Sequence, residues 1–595
     1  MTPARERLLL VGLAGVLVLP LAVGLVALRE PTWFPVLDLA MTEYRVRDVF
    51  SSHPPLIGLP GRIGRTLAEQ GSHPGPLSFY LVAPVHRLLG STAWAMQVAT
   101  VVIHAGAVVT ALLIARRRGG SRVAGAVAVA LALLLRGYGV TLLTQPWNPY
   151  LPVLWWVVLL LAVWSVLDGD LPMLPVAVFA ASLCAQTHVP YLALSLGLGA
   201  VAVVGAVPAL RRDRSSWRWA AGAAVLGLVL WAPPIVEQVR HGDDGNLARL
   251  LAHFGDPPQE SAGLGTGVEL VLQHLDLTDL VADDDGALEV ATAGTTGPAA
   301  TGVVVLMAWL GAVGLAWRTR HRALMRLHAV VAAGLLLGVL SISRIFGNLW
   351  WYLMLWAWGV ALLAASATVW SLRVAVGRRL PDVPPAGLAG LAVVLSAWFA
   401  VEAVDAEPPA ARLSAGLGAI LPATVDALES GVGGATGRDG NYVVAWRDAA
   451  HIGSQAYGLV SELERRGYRA GMTRGLRVPL TDARVIDPAN ATIELHFATG
   501  VNIDRFRRDA PSATEVVALD PRTPAERREF ESLRRRAARD LRAAGLHDVV
   551  GHLEGNLFAA SIDPRVGSPT RERIARLVEL GLPLAVFVAP AGTSL

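Results

Sequence analysis

The chain places two acidic residues and two His-Pro turns directly after its first long apolar run, in Asp38-Leu-Ala-Met-Thr-Glu43-Tyr44, His53-Pro54-Pro55-Leu56 and Ser72-His73-Pro74-Gly75-Pro76-Leu77. That run, residues 8–28, is long enough to cross a membrane as a helix. We expect it to be retained, because it is long for a signal peptide and lacks a small-x-small cleavage site. Acidic side chains beside a bilayer are costly and therefore often functional. The stretch predicts a membrane protein with a functional polar loop after its first span.

The composition sets the broad class. The 595 residues are 53% hydrophobic and 16% charged, with a mean hydropathy of +0.48, which indicates a multi-pass membrane protein. All 51 basic residues are arginines, a bias typical of high-GC bacterial genomes. The arginines gather at helix ends, so the net charge of +4 does not indicate nucleic-acid binding. The single cysteine, Cys184, excludes an intrachain disulfide and a cysteine-clustered metal site.

Apolar runs of the length of a membrane span predict about eleven transmembrane helices. They lie near residues 8–28, 92–115, 122–143, 150–167, 171–188, 190–210, 217–235, 299–317, 327–343, 350–371 and 386–404. Arginine clusters separate them, at residues 5–7, 116–118, 211–214, 318–322 and 373–379. With the N-terminus inside, alternating spans place every cluster in the cytoplasm. The outer surface then receives residues 29–91, residues 236–297 with a solvated aspartate run at 283–285, and everything after 405.

The sequence changes character after the last apolar run. Residues 1–404 form the predicted transmembrane domain, and residues 405–440, rich in Ala, Gly and Pro, form a partly helical connection. Beyond them, strand patterns at 441–446, 492–497 and 584–588 alternate with helix patterns at 454–467, 523–544 and 569–580. This alternation predicts a small extracytoplasmic α/β domain over 441–595.

Three pieces of the opening form a recognisable pattern: Asp38 after the first span, His73-Pro74-Gly75-Pro76-Leu77, and the aromatic-bearing segment from Phe79-Tyr80 to Gly90. In this order they resemble the opening of GT-C glycosyltransferases. That group includes the protein O-mannosyltransferases, the lipid A aminoarabinose transferases and the actinobacterial cell-wall arabinofuranosyltransferases. The resemblance covers residues 1–120 in detail and the remaining spans by architecture.

The resemblance implies a polytopic α-helical fold and an enzyme of a bacterial cytoplasmic membrane. It would move a sugar from a polyprenyl-phosphate donor to a glycan, lipid or protein acceptor on the outer face, with membrane lipids around it and no nucleic acid. The mannosyltransferase type usually carries paired acidic residues, whereas this chain has Asp38-Leu39 with the next carboxylate at Glu43. We therefore expect no cofactor and assign no metal ligands, while dependence on a divalent cation stays open.

Transfer from a lipid phosphate needs a base for the acceptor hydroxyl and cations or dipoles for the leaving phosphate. Asp38 has the position of the base; the alternative is a hydrated interfacial carboxylate. Glu43 and Asp48 are a second acid or acceptor-positioning groups, or else charges on a helix surface. His73 precedes a helix-breaking Pro-Gly-Pro turn and either meets the phosphate or sugar or only shapes the turn.

Two charged residues at helix ends are further candidates. Arg344 is the late-helix cation that the resemblance implies near the donor phosphate, where arginine makes forked hydrogen bonds. The alternative is an arginine that snorkels beside an aromatic belt. Glu237 faces the substrate cavity, or is a first-turn glutamate favoured by the helix dipole.

Two polar interruptions of apolar sequence predict a substrate cavity. Gln186 and His188 break an apolar run at the depth where a cavity would open, which a membrane tolerates mainly for function. Trp147 and Asn148 end another span and either line the same cavity or belong to an aromatic belt.

Two functions of other classes stay open from the sequence. A transporter or flippase of lipid-linked intermediates predicts charges at span midpoints and internal repeats, and neither is clear here. A catalytically inactive scaffold would keep the fold and organise envelope enzymes, and the departure from the paired acidic residues leaves room for it. The leading prediction is a GT-C-type glycosyltransferase whose C-terminal domain positions the acceptor or mediates assembly.

Overall fold

The structure, a computed structural model, describes residues 3–66, 69–278, 299–377 and 383–593. The chain divides into a first unit, Met1–Glu30 with Val49–Glu407, and a second unit, Pro31–Asp48 with Pro408–Leu595. Residues 31–48, which the sequence analysis assigned to an outer loop of the transmembrane domain, thus pack with the C-terminal residues. The aspartate run at 283–285 and most of the second predicted outer loop lie outside the described residues.

Two helices open the chain, α1 (Pro3–Ala27) in the first unit and α2 (Leu37–Asp48) in the second. The first unit continues with α3 (Leu77–Leu88), α4 (Ala93–Thr144), α5 (Val153–Leu167), α6 (Leu174–Thr187), α7 (Pro190–Arg212), α8 (Trp217–His241), α9 (Asn246–Gly255), α10 (Gly263–His274), α11 (Ala299–Arg318), α12 (Arg322–Ser343), α13 (Trp356–Val376) and α14 (Pro385–Glu402). The helices of the rest of the second unit are α15 (Ala411–Glu429), α16 (Ser454–Arg465), α17 (Arg477–Leu480), α18 (Val501–Asp509), α19 (Pro524–Ala543), α20 (His547–Gly555), α21 (Leu557–Ile562) and α22 (Ser568–Leu580). Its strands are β1 (Asn441–Arg447), β2 (Arg469–Gly471), β3 (Ile493–Thr499), β4 (Thr514–Leu519) and β5 (Leu584–Ala589).

The apolar helices confirm an integral membrane protein. Eight of the described helices are long and apolar enough to cross a membrane, namely α1, α4, α7, α8, α11, α12, α13 and α14. Two shorter apolar helices, Val153–Leu167 and Leu171–Thr187, accompany them. Every predicted apolar run falls on one of these helices, because a chain in lipid must satisfy its backbone hydrogen bonds within the segment. The predicted count of about eleven spans is not confirmed.

α4 consists of two antiparallel arms and not of one straight helix. Gly119 and Gly120 interrupt its helical backbone, and Gly120 has φ 66° and ψ −158°, a conformation that glycine adopts at little cost. Three contacts with α1 establish the reversal: the Trp94 indole donates to Leu25 O at 2.8 Å, Val140 packs beside Gly24, and Arg116 pairs with Glu6 at 3.0 Å. The first two lie near the end of α1 and the third near its start. The second arm therefore returns to the end at which the first begins.

The second unit contains a mixed five-stranded sheet of order β2-β1-β3-β5-β4. β1 pairs in parallel with β2 and β3, whereas β5 runs antiparallel to β3 and β4. β3 and β5 are buried along their whole length, as strands in the middle of a covered sheet should be. The α/β character of this region is confirmed, and β1, β3, β5, α16, α19 and α22 fall on the predicted strand and helix patterns.

Candidate active site

A pair of antiparallel backbone segments fixes the turn that carries His73. Its N–H donates to Leu59 O at 2.8 Å, and its carbonyl accepts from Gly58 N at 3.0 Å. The ring is buried, and its Nδ1 accepts a hydrogen bond from Val189 N at 3.1 Å. A ring nitrogen that accepts carries no proton, so His73 is the neutral tautomer with its proton on Nε2.

The charge state of His73 limits what it can do at a phosphate. Burial lowers the pKa of its ring to about 3, so His73 is neutral at physiological pH. It can offer one neutral N–H to an oxygen, but it supplies no positive charge. The cations for an anionic ligand must come from other side chains.

The break between α6 and α7 meets the His73 turn. The Gly75 N–H, two residues after His73, donates to Gln186 O at 3.1 Å. A Cβ at Gly75 would overlap the Gln186 side chain, so glycine allows this close approach. The rings of His73 and His188 lie with centroids 5.1 Å apart. Three of the predicted site residues are thus brought together.

Four buried polar atoms at this break have no hydrogen-bond partner among the described residues: Gln186 Oε1, Thr187 Oγ1, His188 Nδ1 and the Tyr191 hydroxyl. The other end of the Gln186 amide donates to Leu230 O at 2.8 Å, which holds the side chain in place. Buried polar groups are almost always paired with protein or with ordered water. These atoms are therefore able to pair with water or with the hydroxyl groups of a ligand.

Aromatic rings continue from this break. Tyr352 lies with its ring centroid 6.3 Å from that of His188 and 4.9 Å from that of Trp147. Trp147 in turn meets Tyr150 edge-on at 4.8 Å. Trp147 is half-buried, and the neighbouring Asn148 is 7% exposed. The predicted Trp147–Asn148 segment therefore lies beside the predicted Gln186–His188 segment, joined to it through Tyr352.

Arg62 is a cation at this site that the sequence analysis missed. Its guanidinium lies 5.8 Å from the ring centroid of Trp350, which stacks on Tyr352 with a centroid separation of 6.2 Å. Its Nη2 donates to Asn348 O at 3.1 Å, and the side chain is exposed. Burial and the positive charge of Arg62 together lower the pKa of His253. No local pattern distinguishes Arg62 from the other loop arginines, because only the fold brings it to residues 348–352.

Arg344 directly follows α12. Its Nη2 donates to Phe254 O at 2.9 Å, and its guanidinium lies 5.5 Å from the ring centroid of Phe346. A cation is favourable at the C-terminal end of a helix dipole. The side chain is exposed, and a guanidinium has several N–H donors, so one such bond leaves others for an anion.

Glu237 stabilises the His73 turn through Asn246. It lies four residues before the C-terminal end of α8, so its interpretation as a first-turn glutamate is wrong. Its carboxylate accepts from Asn246 N at 2.9 Å and lies 3.2 Å from His241 Nδ1. The Asn246 amide accepts from Ser72 N at 2.7 Å and donates to Ser72 O at 3.1 Å. Glu237 thereby holds Asn246 in place, and Asn246 in turn holds Ser72, the residue before His73.

Glu43 and Asp48 belong to the second unit, where they form buried ion pairs. Glu43 is fully buried, accepts from Ser461 Oγ at 3.1 Å and pairs with Arg465. Asp48 accepts two hydrogen bonds from Arg484, at 2.7 and 2.8 Å. Their interpretation as simple charges on a helix surface is therefore wrong. Sequence reasoning could not find these pairs, because the partners lie more than 400 residues away.

Asp38 lies in the first turn of α2, where the helix dipole favours a carboxylate, and is half-buried. Burial, and after it the charge of Asp38, raise the pKa of Tyr457. Burial also lowers the pKa of Arg45 to about 10, although nearby acids including Asp38 oppose this. Asp38 thus lies near a tyrosine and an arginine of its own unit. Among the residues that the structure describes, no three His, Cys, Asp or Glu side chains are grouped to hold a metal ion.

Solved structures of two proteins are similar to this chain over most of its length. ArnT from Cupriavidus metallidurans in the apo state is similar over 84% of this chain and 94% of its own, with 14% identity and a TM-score of 0.50. ArnT bound to undecaprenyl phosphate matches over 88% and 97%, with 15% identity and a TM-score of 0.46. The archaeal oligosaccharyltransferase AglB from Archaeoglobus fulgidus, in complex with an inhibitory peptide and a dolichol-phosphate, matches over 85% and 71%, with 10% identity and a TM-score of 0.39.

No protein-family model and no curated protein sequence matches the chain. ArnT and AglB are GT-C fold glycosyltransferases. The similarity to apo ArnT extends over most of both chains, and this chain therefore has the GT-C fold. The resemblance of its opening residues had predicted that fold.

Proposed function

We propose that this GT-C-fold chain is a membrane glycosyltransferase that moves a sugar from a polyprenyl-phosphate donor to a cell-envelope glycan, lipid or protein on the outer face of the cytoplasmic membrane. One observation carries the proposal. The exposed guanidinium of Arg62 lies beside the aromatic rings of Trp350 and Tyr352. Tyr352 in turn lies beside His188, whose buried Nδ1 has no hydrogen-bond partner among the described residues. A lipid-linked sugar presents the complementary groups, which are a phosphate, a sugar ring and hydroxyls.

The phosphate is assigned to Arg62 and Arg344. Both guanidiniums are exposed, and arginine binds phosphate oxygens through forked, charge-assisted hydrogen bonds. Positive charge at this point stabilises the phosphate as it leaves with the electron pair of the broken bond. His73 adds one neutral N–H through Nε2, consistent with the acceptor role of its Nδ1.

The sugar is assigned to the polar break between α6 and α7 and to the rings beside it. The unpartnered Gln186 Oε1 is an acceptor, and the Tyr191 hydroxyl both donates and accepts. Such groups match sugar hydroxyls and penalise a ligand that lacks them. The half-buried Trp147, with Asn148 beside it, offers an apolar face to the ring.

Asp38 is the proposed base, as its place after the first span and the GT-C resemblance imply. It takes the proton of the acceptor hydroxyl while the acceptor oxygen bonds to the anomeric carbon and the bond from that carbon to the phosphate oxygen breaks. Glu43 is assigned to a different task. Its carboxylate is bound by Ser461 and Arg465, and we infer that it holds α2 rather than moves a proton.

The test is transfer in proteoliposomes supplied with a panel of radiolabelled polyprenyl-phosphate sugars, with and without divalent cations. Asp38→Asn should lower the rate by about a hundredfold or more, the usual contribution of a general base. Asp439→Asn, a change of an exposed carboxylate in the second unit, is the matched control and should leave the rate unchanged.

Three outcomes separate the alternatives. Loss of transfer in well-folded Asp38→Asn alone supports both the activity and the base. Transfer that survives this change keeps the activity and removes Asp38 from the mechanism. Absence of transfer from every donor by well-folded wild-type protein contradicts the proposal and favours a flippase or an inactive scaffold.

A further inference from the structure

A cavity with a volume of about 570 Å³ lies between α1, α4 and α6 of the first unit, and none of the candidate-site residues lines it. It is beside Glu6 and the Gly119–Gly120 reversal, whereas the segment after the second arm of α4 carries Trp147. Val176 lines the cavity, and Gln186 of the candidate site lies further along the same helix α6, about 15 Å away at the rise of an α-helix. The cavity and the candidate site are therefore separate.

The walls of this cavity have two chemical characters. They include the two arginines Arg116 and Arg117, the acidic Glu6, and the aliphatic residues Leu113, Ile114 and Val176. Basic and aliphatic residues together suit a ligand with an anionic head and a hydrocarbon body. The volume also falls within the range of about 300–1,000 Å³ that is usual for small-molecule sites.

The cavity lining contains two arginines and one carboxylate, Glu6, which pairs with Arg116 at 3.0 Å. Arg117 pairs with Asp170 through Nη2 at 2.7 Å, and Arg118 and Arg326 share Asp168. Arg117 remains half exposed and Arg116 about one-third exposed. Both keep N–H donors that these pairs do not use.

An exposed apolar track leads along the first arm of α4 to these arginines. Val102, Val109 and Leu113 are 51%, 41% and 51% exposed, and their spacing of seven and four residues puts them on one face of the helix. Arg117 follows Leu113 by four residues and continues the same face. In a membrane-spanning arm, large exposed apolar side chains contact acyl chains.

We propose that this cavity binds the headgroup phosphate of an anionic phospholipid, whose acyl chains lie along the Val102–Leu113 track. Phosphate oxygens match the guanidinium forks, and basic pockets between helices at a membrane surface select anionic lipids. The arginine cluster predicts the cytoplasmic leaflet as the source. The site is independent of the proposed sugar transfer. Binding requires the acyl chains of the lipid, which distinguishes this ligand from free phosphate. Binding also requires a net negative charge, which distinguishes it from neutral lipids.

The experiment titrates the purified full chain in detergent with phosphatidylglycerol and measures bound lipid by native mass spectrometry and by the rise in Tm. Removing both charges, in Arg116→Gln/Arg117→Gln, should weaken binding about thirtyfold, from the usual contribution of each basic residue at a lipid surface. The control Arg318→Gln/Arg322→Gln changes two exposed arginines away from the cavity and should bind as the wild type does.

A second variant tests the cavity independently, in case Arg116→Gln/Arg117→Gln misfolds. Val176→Trp fills the apolar side, leaves both arginines in place and should also lower binding. Unchanged binding in both cavity variants would overturn the proposal. So would equal binding of phosphatidylcholine, equal occupancy by inorganic phosphate, or a preference for polyprenyl phosphate over phosphatidylglycerol.

Discussion

Replacing Arg465 with methionine removes the cation that compensates the buried Glu43 carboxylate. The Glu43 side chain is 0% exposed and that of Arg465 25% exposed, so the carboxylate cannot regain water without opening the packing of α2 on α16. Breaking one partner of a buried pair costs about 3–5 kcal/mol. Ser461 still donates, and Arg47 lies 4.0 Å away, so we expect a loss near the lower end, about 3 kcal/mol.

The double variant Glu43→Leu/Arg465→Met separates a structural role from a catalytic one. An apolar pair of similar volume often replaces a buried ion pair without loss, so most of the stability should return. Transfer activity should return with it, because the inferred role of Glu43 is to hold α2. If Glu43 instead moved a proton, the double variant would fold and still lose about a hundredfold in rate.

The assay is unfolding of the full chain in micelles, followed by tryptophan fluorescence, together with the transfer rate at saturating donor. Arg447→Met is the matched control, because Arg447 and Asp509 form an exposed pair in the same unit, with side chains 38% and 56% exposed. Such a pair contributes about 0–1 kcal/mol. The reasoning is refuted if Arg465→Met destabilises no more than Arg447→Met, or if a stable double variant is inactive.

Three further changes probe the candidate site. Gly75→Ala should destabilise by about 1–3 kcal/mol, because its Cβ would overlap Gln186, whereas Gly12→Ala, which has open space around it, should cost nothing; comparative unfolding checks both. For His73, burial puts the folded-state pKa at about 3, below its ordinary 6.5. The unfolded chain therefore binds the proton first, and the wild type should lose stability as the pH falls below 6.5, by about 1.4 kcal/mol per pH unit at most. His73→Asn should lack this slope in unfolding measured from about pH 7 to about pH 4; an equal slope contradicts the buried neutral ring. Arg62→Gln should lower kcat/KM for transfer by about tenfold or more, with partial rescue in Arg62→Lys, and an unchanged kcat/KM would remove Arg62 from the site.

Local sequence determined most of the elements of this fold. Runs of apolar residues specify membrane helices because each helix satisfies its own backbone hydrogen bonds, whatever its neighbours are. The two runs at 92–115 and 122–143 were predictable as separate segments, since the arginine cluster at 116–118 lies between them, and the structure adds that Gly119 and Gly120 make the reversal. The strand patterns that became β1, β3 and β5 were equally local, because the middle of a covered sheet needs apolar side chains in sequence.

Local sequence patterns gave wrong predictions where a helix extended beyond its apolar run or was buried by residues distant in sequence. The apolar run at 217–235 ends before Glu237, and the sequence predicts Glu237 in the first turn of a new helix. In the structure, α8 instead continues through Pro233 and Pro234 to His241. The sequence predicts that residues 29–91 form an outer loop, whereas α2 within that range is mostly buried. The sequence alone does not show whether the partner of a polar side chain is water or another side chain.

The sequence by itself determined a polytopic helical membrane protein with an α/β C-terminal region. It predicted His73 near the donor phosphate and Gln186 with His188 in the substrate cavity, and the fold brings the three together. Only the tertiary structure decided that Glu43 is buried against Arg465, and that Arg62 lies over Trp350. The physical reason is range. Hydropathy and helical periodicity act over one or two turns, whereas ion pairs and ring contacts join residues hundreds of positions apart, and folding alone selects which arginine meets which partner.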